Sequence, residues 1–155
     1  MDDINAPVIL LVEDNPGDVR LVREALGESG QSVRMEVARD GEEALEILRR
    51  GGSARLPDLT ILDLNLPKKD GREVLAEMRA DPRMRSVPVV ILSTSQADED
   101  INRSYELGAN CYINKPVEVE RFIEAIRLLQ RFWLKTVELP RRRTCESARS
   151  RSLAH

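Results

Sequence analysis

Acids, hydroxyls and one lysine stand where the apolar runs of this chain stop. Glu13 and Asp14 follow Pro7 to Val12, and Asp63 follows Leu59 to Leu62. Ser93, Thr94 and Ser95 follow Val87 to Leu92, and Lys115 follows the short run Cys111 to Asn114. A continuous apolar run bounded by breakers reads as a strand buried on both faces, hence a parallel sheet covered by helices. Ligands of such sheets bind at the carboxyl ends of the strands, so these groups meet at one edge. Three carboxylates in one cleft repel one another unless a cation sits among them. Hard oxygen donors without histidine or cysteine point to magnesium, Mg2+. A lysine and a hydroxyl from Ser93 or Thr94 beside that metal suit a phosphoryl group. The metal and Lys115 would neutralise its charge, and the hydroxyl would donate a hydrogen bond. With no base to activate another nucleophile, the natural nucleophile is a carboxylate itself.

What is missing narrows the chemistry further. The single histidine is His155, the last residue of the sequence, which excludes a Ser-His-Asp triad, a histidine-rich zinc site and an internal phosphohistidine. No glycine-rich loop ending in Lys-Ser/Thr is present, so nucleotide binding is not expected. The net charge of -3 gives no global pull toward nucleic acid or anionic membrane. No apolar stretch is long enough to span a bilayer, and the acidic start Met1-Asp2-Asp3 lacks the order of a signal peptide. Cys111 and Cys145 make no disulfide framework, so a reducing cytoplasm is the expected setting.

The elements that must position these groups alternate regularly. After the Glu13-Asp14 strand, Asn15-Pro16 starts a helix whose stripe is Val19, Leu21, Val22, Ala25 and Leu26, fading at Gly27 and Gly30. Ser32 to Ala38 alternates, which predicts a half-buried strand near a sheet edge. Asp40 caps a helix burying Ala44, Leu45, Ile47 and Leu48, and Gly51-Gly52 ends it. A helix over Gly71 to Ala80 turns Val74, Leu75 and Met78 inward. Asp98 to Leu107 is a polar helix, which one of the three preceding hydroxyls is expected to cap. The last helix runs from Val117 to about Thr136, with Phe122, Ile123, Ile126, Leu129, Trp133 and Val137 spaced for burial. Strand then helix, five times over, predicts an α/β fold with a doubly wound parallel sheet of five strands in a single domain. Residues 1–136 form that domain and 137–155 an extension. Beyond Pro140 the run Arg141-Arg142-Arg143 lacks apolar periodicity and predicts a mobile tail.

Over about residues 6–136 the sequence resembles the receiver domain of bacterial two-component response regulators, of the chemotaxis-regulator-like kind. The resemblance implies the flavodoxin-like (βα)5 fold and a phosphoacceptor aspartate at Asp63. It implies magnesium binding by Glu13, Asp14, Asp63 and the backbone carbonyl of Asn65. It makes Ser93 the switch hydroxyl, with Thr94 next to it, Tyr112 the switch aromatic, and Lys115-Pro116 the family's lysine and proline, whose bond is usually cis. The Glu13-Asp14 pair departs from the commoner Asp-Asp, and metal binding is expected to survive. Asn15-Pro16-Gly17-Asp18, Leu62 to Pro67, Leu92 to Ser95 and Phe132-Trp133 also look like the stand-alone regulators paired with phytochrome-type kinases.

The resemblance implies a phosphorylation switch rather than an enzyme, receiving its phosphoryl group from a sensor histidine kinase. Residues 137–155 are too few for a DNA-binding domain, so the output is protein–protein. The apolar residues reaching Val137 and Leu139 predict a symmetric homodimer through the last helix and the extension. A magnesium-dependent phosphatase with an aspartyl nucleophile is the alternative. It would need a second acid/base carboxylate, and the second residue after Asp63 is Asn65. A degenerate receiver that only binds partners is opposed by the acidic pair, Asp63 and Lys115.

Overall fold

Each apolar run becomes a strand: β1 Val8–Val12, β2 Arg34–Ala38, β3 Leu59–Leu62, β4 Val89–Ser93 and β5 Cys111–Asn114. A computed structural model describes residues 6–28, 30–50 and 55–140. Between and after the strands lie the helices α1 Pro16–Gly27, α2 Gly41–Arg49, α3 Gly71–Ala80, α4 Asp98–Glu106 and α5 Val119–Arg131. The strands form one parallel sheet in the order β2-β1-β3-β4-β5. The order reverses between β1 and β3, which opens a crevice at their carboxyl ends. The fold is therefore the flavodoxin-like (βα)5 arrangement expected from the alternation.

Burial follows position in the sheet. β1, β3 and β4 are buried along their whole length, as their unbroken apolar sequences require. β2 and β5 are the edges, and both are only partly covered. Successive side chains alternate faces, so Leu10, Val12 and Leu62 pack with α2 and α3, while Ile9, Leu11, Leu59 and Ile61 pack with α1 and α5. Among the described residues, no helix is long and apolar enough to cross a membrane.

The helices bury the expected stripes with few departures. α3 turns in Val74, Leu75 and Met78, and α1 turns in Val19, Val22, Ala25 and Leu26, with Leu21 half-buried. Ile47 is half-buried at the rim of α2 rather than within its core stripe. α4 buries a single residue, Ser104, whose hydroxyl donates to the Asp100 carbonyl at 2.8 Å. With so little apolar surface holding it, α4 belongs to the weakly anchored part of the molecule.

Three expectations need correction. The cap of α4 is Ala97, without a side-chain cap hydrogen bond, and none of the three hydroxyls takes that position. Ser95 Oγ is instead engaged by Asp100 and by the Ala97 N–H. The last helix keeps its α form only to Arg131, and Phe132–Thr136 follows as a π-helical turn, which rotates the side chains off the original stripe. Trp133 and Val137 are accordingly half-buried, and Phe132 stands edge-on to Trp133 at 5.6 Å. No peptide bond is cis among the described residues, so Lys115-Pro116 is trans. Gly51-Gly52, Cys145, the Arg141–Arg143 run, the expected tail and His155 lie outside the described residues.

Candidate functional site

The acids are fixed first by the sheet itself. The Glu13 N–H donates to the Ala38 carbonyl at 2.9 Å, and the Asp63 N–H donates to the Val12 carbonyl at 3.1 Å. Each acid is thus the residue at which a strand's ladder stops, so both carboxylates lie at the carboxyl edge. Glu13, Asp14 and Asp63 bring carboxylate oxygens within 4.8 Å of one another. Glu13 is 2% exposed, Asp63 9%, and Asp14 faces solvent.

The turn after β1 is held by its own side chains. Asn15 Oδ1 accepts from the Gly17 N–H at 2.8 Å and the Asp18 N–H at 3.2 Å, capping α1 with Pro16 in its first turn. Glu13 Oε2 accepts from the Asn15 N–H at 3.3 Å. On the other side, Asp63 Oδ1 accepts from the Asn65 N–H at 3.3 Å, so Asn65 is bound into the loop it was expected to serve. The Gly71 N–H donates to the Leu64 carbonyl at 2.8 Å, and Asp70 caps α3, which closes that loop.

Lys115 arrives from the far side of the crevice. Its N–H donates to the Ser93 carbonyl at 2.7 Å, the last step of the β4–β5 pairing. Its ammonium then reaches Glu13 Oε1 at 2.6 Å, Asp18 Oδ2 at 2.9 Å and Asp63 Oδ2 at 3.4 Å. Burial works against that charge, but hydrogen bonds to Glu13 and Asp18 and the charge on Asp63 outweigh it, and the pKa is held above the ordinary lysine value. Burial pushes the Glu13 carboxyl up to about 7, with Asp63 adding to the effect and Lys115 opposing it.

The hydroxyl side is a second hydrogen-bonded chain. Ser93 is fully buried, and its Oγ accepts from the Ser95 N–H at 3.2 Å. Ser95 Oγ donates to Asp100 Oδ2 at 2.5 Å, and Arg72 donates to Asp100 Oδ1 at 2.6 Å. The Tyr112 hydroxyl donates to the Ser95 carbonyl at 2.8 Å, and the Tyr112 N–H donates to the Tyr105 hydroxyl at 3.1 Å. Ser93 and Tyr112 are thereby linked through one residue, Ser95. Thr94 is exposed and makes no hydrogen bond among the described residues.

Sequence reasoning missed Asp18, Arg72 and Asp100. Asp18 could have been found as an acid in the first turn of the helix that leaves the acidic strand end. Arg72 and Asp100 carried no signal, being charged residues on polar helix faces.

The donor set fits a hard divalent cation: it is all oxygen, carries three carboxylates, and is open to solvent on the Asp14 side. An ammonium already lies among these acids, so the cleft is built to hold positive charge.

Comparison with known proteins gives one family. The response regulator receiver domain matches residues 9–127. Response regulator Rcp1 of Synechocystis sp. is 45% identical over 143 residues, spanning 90% of this chain and 97% of its own length. The solved structure of the phosphorylated cyanobacterial phytochrome response regulator RcpA superposes with a TM-score of 0.84 at 47% identity, covering 88% of this chain and 99% of that one. The Mn2+-bound form of Rcp1 superposes with a TM-score of 0.82 at 44% identity, over 87% and 99%.

Proposed function

This chain belongs to the response regulator receiver family, and from that premise we propose that Asp63 accepts a phosphoryl group from a sensor histidine kinase. Receiver domains bind magnesium at an acidic pocket and work with sensor histidine kinases as signalling proteins. The observation that carries the assignment is the seat of Lys115, whose ammonium contacts Glu13, Asp18 and Asp63 at once beneath the open end of the sheet.

An Asp63 carboxylate oxygen attacks the phosphorus of the kinase's phosphohistidine. The new O–P bond forms as the P–N bond breaks, and the electron pair leaves with the imidazole nitrogen, which takes up a proton. Glu13, Asp14 and Asp63, with the Asn65 carbonyl, would hold magnesium, which would supply charge neutralisation at the phosphoryl oxygens. Lys115 neutralises the same group from the β5 side. The Ser93 hydroxyl, whose oxygen already accepts from Ser95, keeps its proton for a phosphoryl oxygen; Thr94 stands beside it at the solvent side.

The switch follows from these contacts. A Ser93 drawn toward Asp63 pulls on Ser95, which is tied to Tyr112 and to Asp100 of α4. The lightly anchored α4 and β5 then redistribute between two states. The chain acts as the acceptor in a relay rather than as an enzyme, in a reducing cytoplasm that suits its two cysteines. Residues 1–136 serve as the receiver and 137–155 as an extension.

The kinase is of phytochrome type, a reading supported by the likeness to the phytochrome response regulator RcpA. Output is self-association through the last helix and the extension, without DNA or membrane. Leu128 and Phe132 support this, being 57% and 51% exposed one turn apart on that helix.

The test is incubation with magnesium and acetyl phosphate, read by intact mass and size-exclusion elution. One phosphate added to the wild type, and none to Asp63→Asn or without magnesium, is the expected result. Phosphate on the Asp63→Asn variant overturns the assignment. Monomeric elution in both phosphorylation states overturns the dimer.

A further inference from the structure

We propose that Asp18 is a positioning residue for phosphoryl transfer, holding Lys115 back from Asp63 and competing with the phosphoryl group for its ammonium. This rests on the reading of Asp63 as the acceptor.

The distances carry it. The lysine lies 2.6 Å from Glu13 and 2.9 Å from Asp18, within the range of charged hydrogen bonds, but 3.4 Å from Asp63. Its two closest partners are both on the β1 side of the crevice, away from the acceptor. The side chains are well placed for a strong contact, with Lys115 only 9% and Asp18 only 23% exposed.

Glu13 and Asp18 differ in what a cation does to them. Glu13 belongs to the group of three carboxylates that converge within 4.8 Å, and Asp18 does not. A cation in that group takes up the charge of Glu13, Asp14 and Asp63 and leaves that of Asp18 uncompensated. Asp18 then becomes the one carboxylate with full claim on the lysine. Lysine's long stem and three donors let it swing between Asp18 and a phosphoryl group on Asp63.

The position of Asp18 is built, not incidental. It is the third residue of α1, with its N–H fixed on Asn15 Oδ1 and Pro16 setting the preceding turn. The carboxylate is thereby held over the end of β1, and the contact spans 97 residues of sequence.

The experiment uses the full chain with saturating magnesium and acetyl phosphate. Wild type, Asp18→Asn and Asp18→Glu are followed by time-resolved intact mass, with magnesium affinity from calorimetry and Tm as a folding control. The expected result is phosphorylation faster in Asp18→Asn by about threefold or more. Magnesium affinity should hold within about twofold, and Asp18→Glu, which restores the charge, should return toward the wild-type rate. An unchanged or slower Asp18→Asn, beside a wild type that is phosphorylated, overturns the inference alone. So does an equal acceleration in Asp18→Glu, or an acceleration matched by a change in magnesium affinity. A wild type that takes no phosphate overturns this inference and the acceptor assignment together.

Discussion

The main-chain oxygen of Asp63 lies 2.1 Å from where a Cβ on Gly71 would stand, and the Leu64 Cα lies 2.8 Å from it. Gly71 opens α3, where helix propensity alone favours alanine over glycine by about 1 kcal/mol. Here the first turn of the helix is pressed against the loop that carries the acceptor. Gly71→Ala should therefore destabilise the fold, by about 1–3 kcal/mol, and slow phosphorylation by shifting Asp63. Urea unfolding and the acetyl phosphate time course check the two effects. A variant as stable as wild type would mean the loop yields freely.

Magnesium should stabilise the protein because it binds a cleft that only the folded chain assembles. At a hundredfold excess over its Kd the gain is about 2.7 kcal/mol, read as a rise in Tm. Asp14→Asn, which removes one of three converging carboxylates, should lose most of that rise. In metal-free buffer Asp63→Asn should unfold at a higher temperature than wild type, since it relieves repulsion among the acids.

Glu13 sets a pH dependence in the metal-free protein. Its folded pKa is raised by burial to about 7 from an ordinary 4.5. Between those values the native state holds a proton that the unfolded chain has lost. Stability from this group is therefore complete below about 4.5 and falls as pH rises through about 7, by about 1–3 kcal/mol in all. Urea titrations in a chelator across that window should show the decline, and Glu13→Gln should flatten it.

Arg79 holds the loops on the β4–β5 side together. It donates to the carbonyls of Gly108, Arg85 and Val87 and to Asn110 Oδ1, all at 2.8–3.0 Å. Asn110 Oδ1 also accepts from the Val89 N–H at 2.8 Å, so the same group fixes the start of β4. Arg79→Met should cost about 1–2 kcal/mol, chiefly by leaving the part-buried Gly108 and Val87 carbonyls without their donor. Arg79→Lys should recover little of it, because an ammonium cannot reproduce the planar fork. Thermal unfolding of both variants tests the claim.

Thr60 offers a change of opposite sign. It is fully buried in β3, and its hydroxyl has no hydrogen-bond partner among the described residues. Thr60→Val keeps the shape and removes the unsatisfied group, so stability should rise by about 1 kcal/mol. A loss of stability on urea unfolding would show that the hydroxyl is satisfied in solution.

Much of the fold was legible because its signals are local. The apolar runs named the strands, and the half-buried alternation of Ser32 to Ala38 marked β2, which proves to be an edge. The range of α3 agreed residue for residue, since Asp70 and Asp81 bound it with strong cap and stop chemistry. The cap of α4 was misread because three adjacent hydroxyls outnumber the single position a cap needs, and Ser95 is instead drawn to Asp100. The end of the last helix at Thr136 agreed with the apolar spacing, but its start falls at Val119 rather than Val117, and the change to a π turn after Arg131 carries no signal in that spacing.

The sequence by itself determined which residues form strands, which helix faces are buried, and which acids, hydroxyls and lysine end up along one edge of the sheet. Those outcomes depend on periodicity and on strand ends, both written within a few residues. Only the tertiary structure decided that Lys115 leans toward Glu13 and Asp18 rather than Asp63, that Ser95 joins Ser93 to Tyr112, and that Gly71 must lack a side chain. Each of these depends on how loops from distant parts of the chain approach one another. A hydrogen bond forms or fails within a few tenths of an ångström, and spacing along the sequence does not encode that distance.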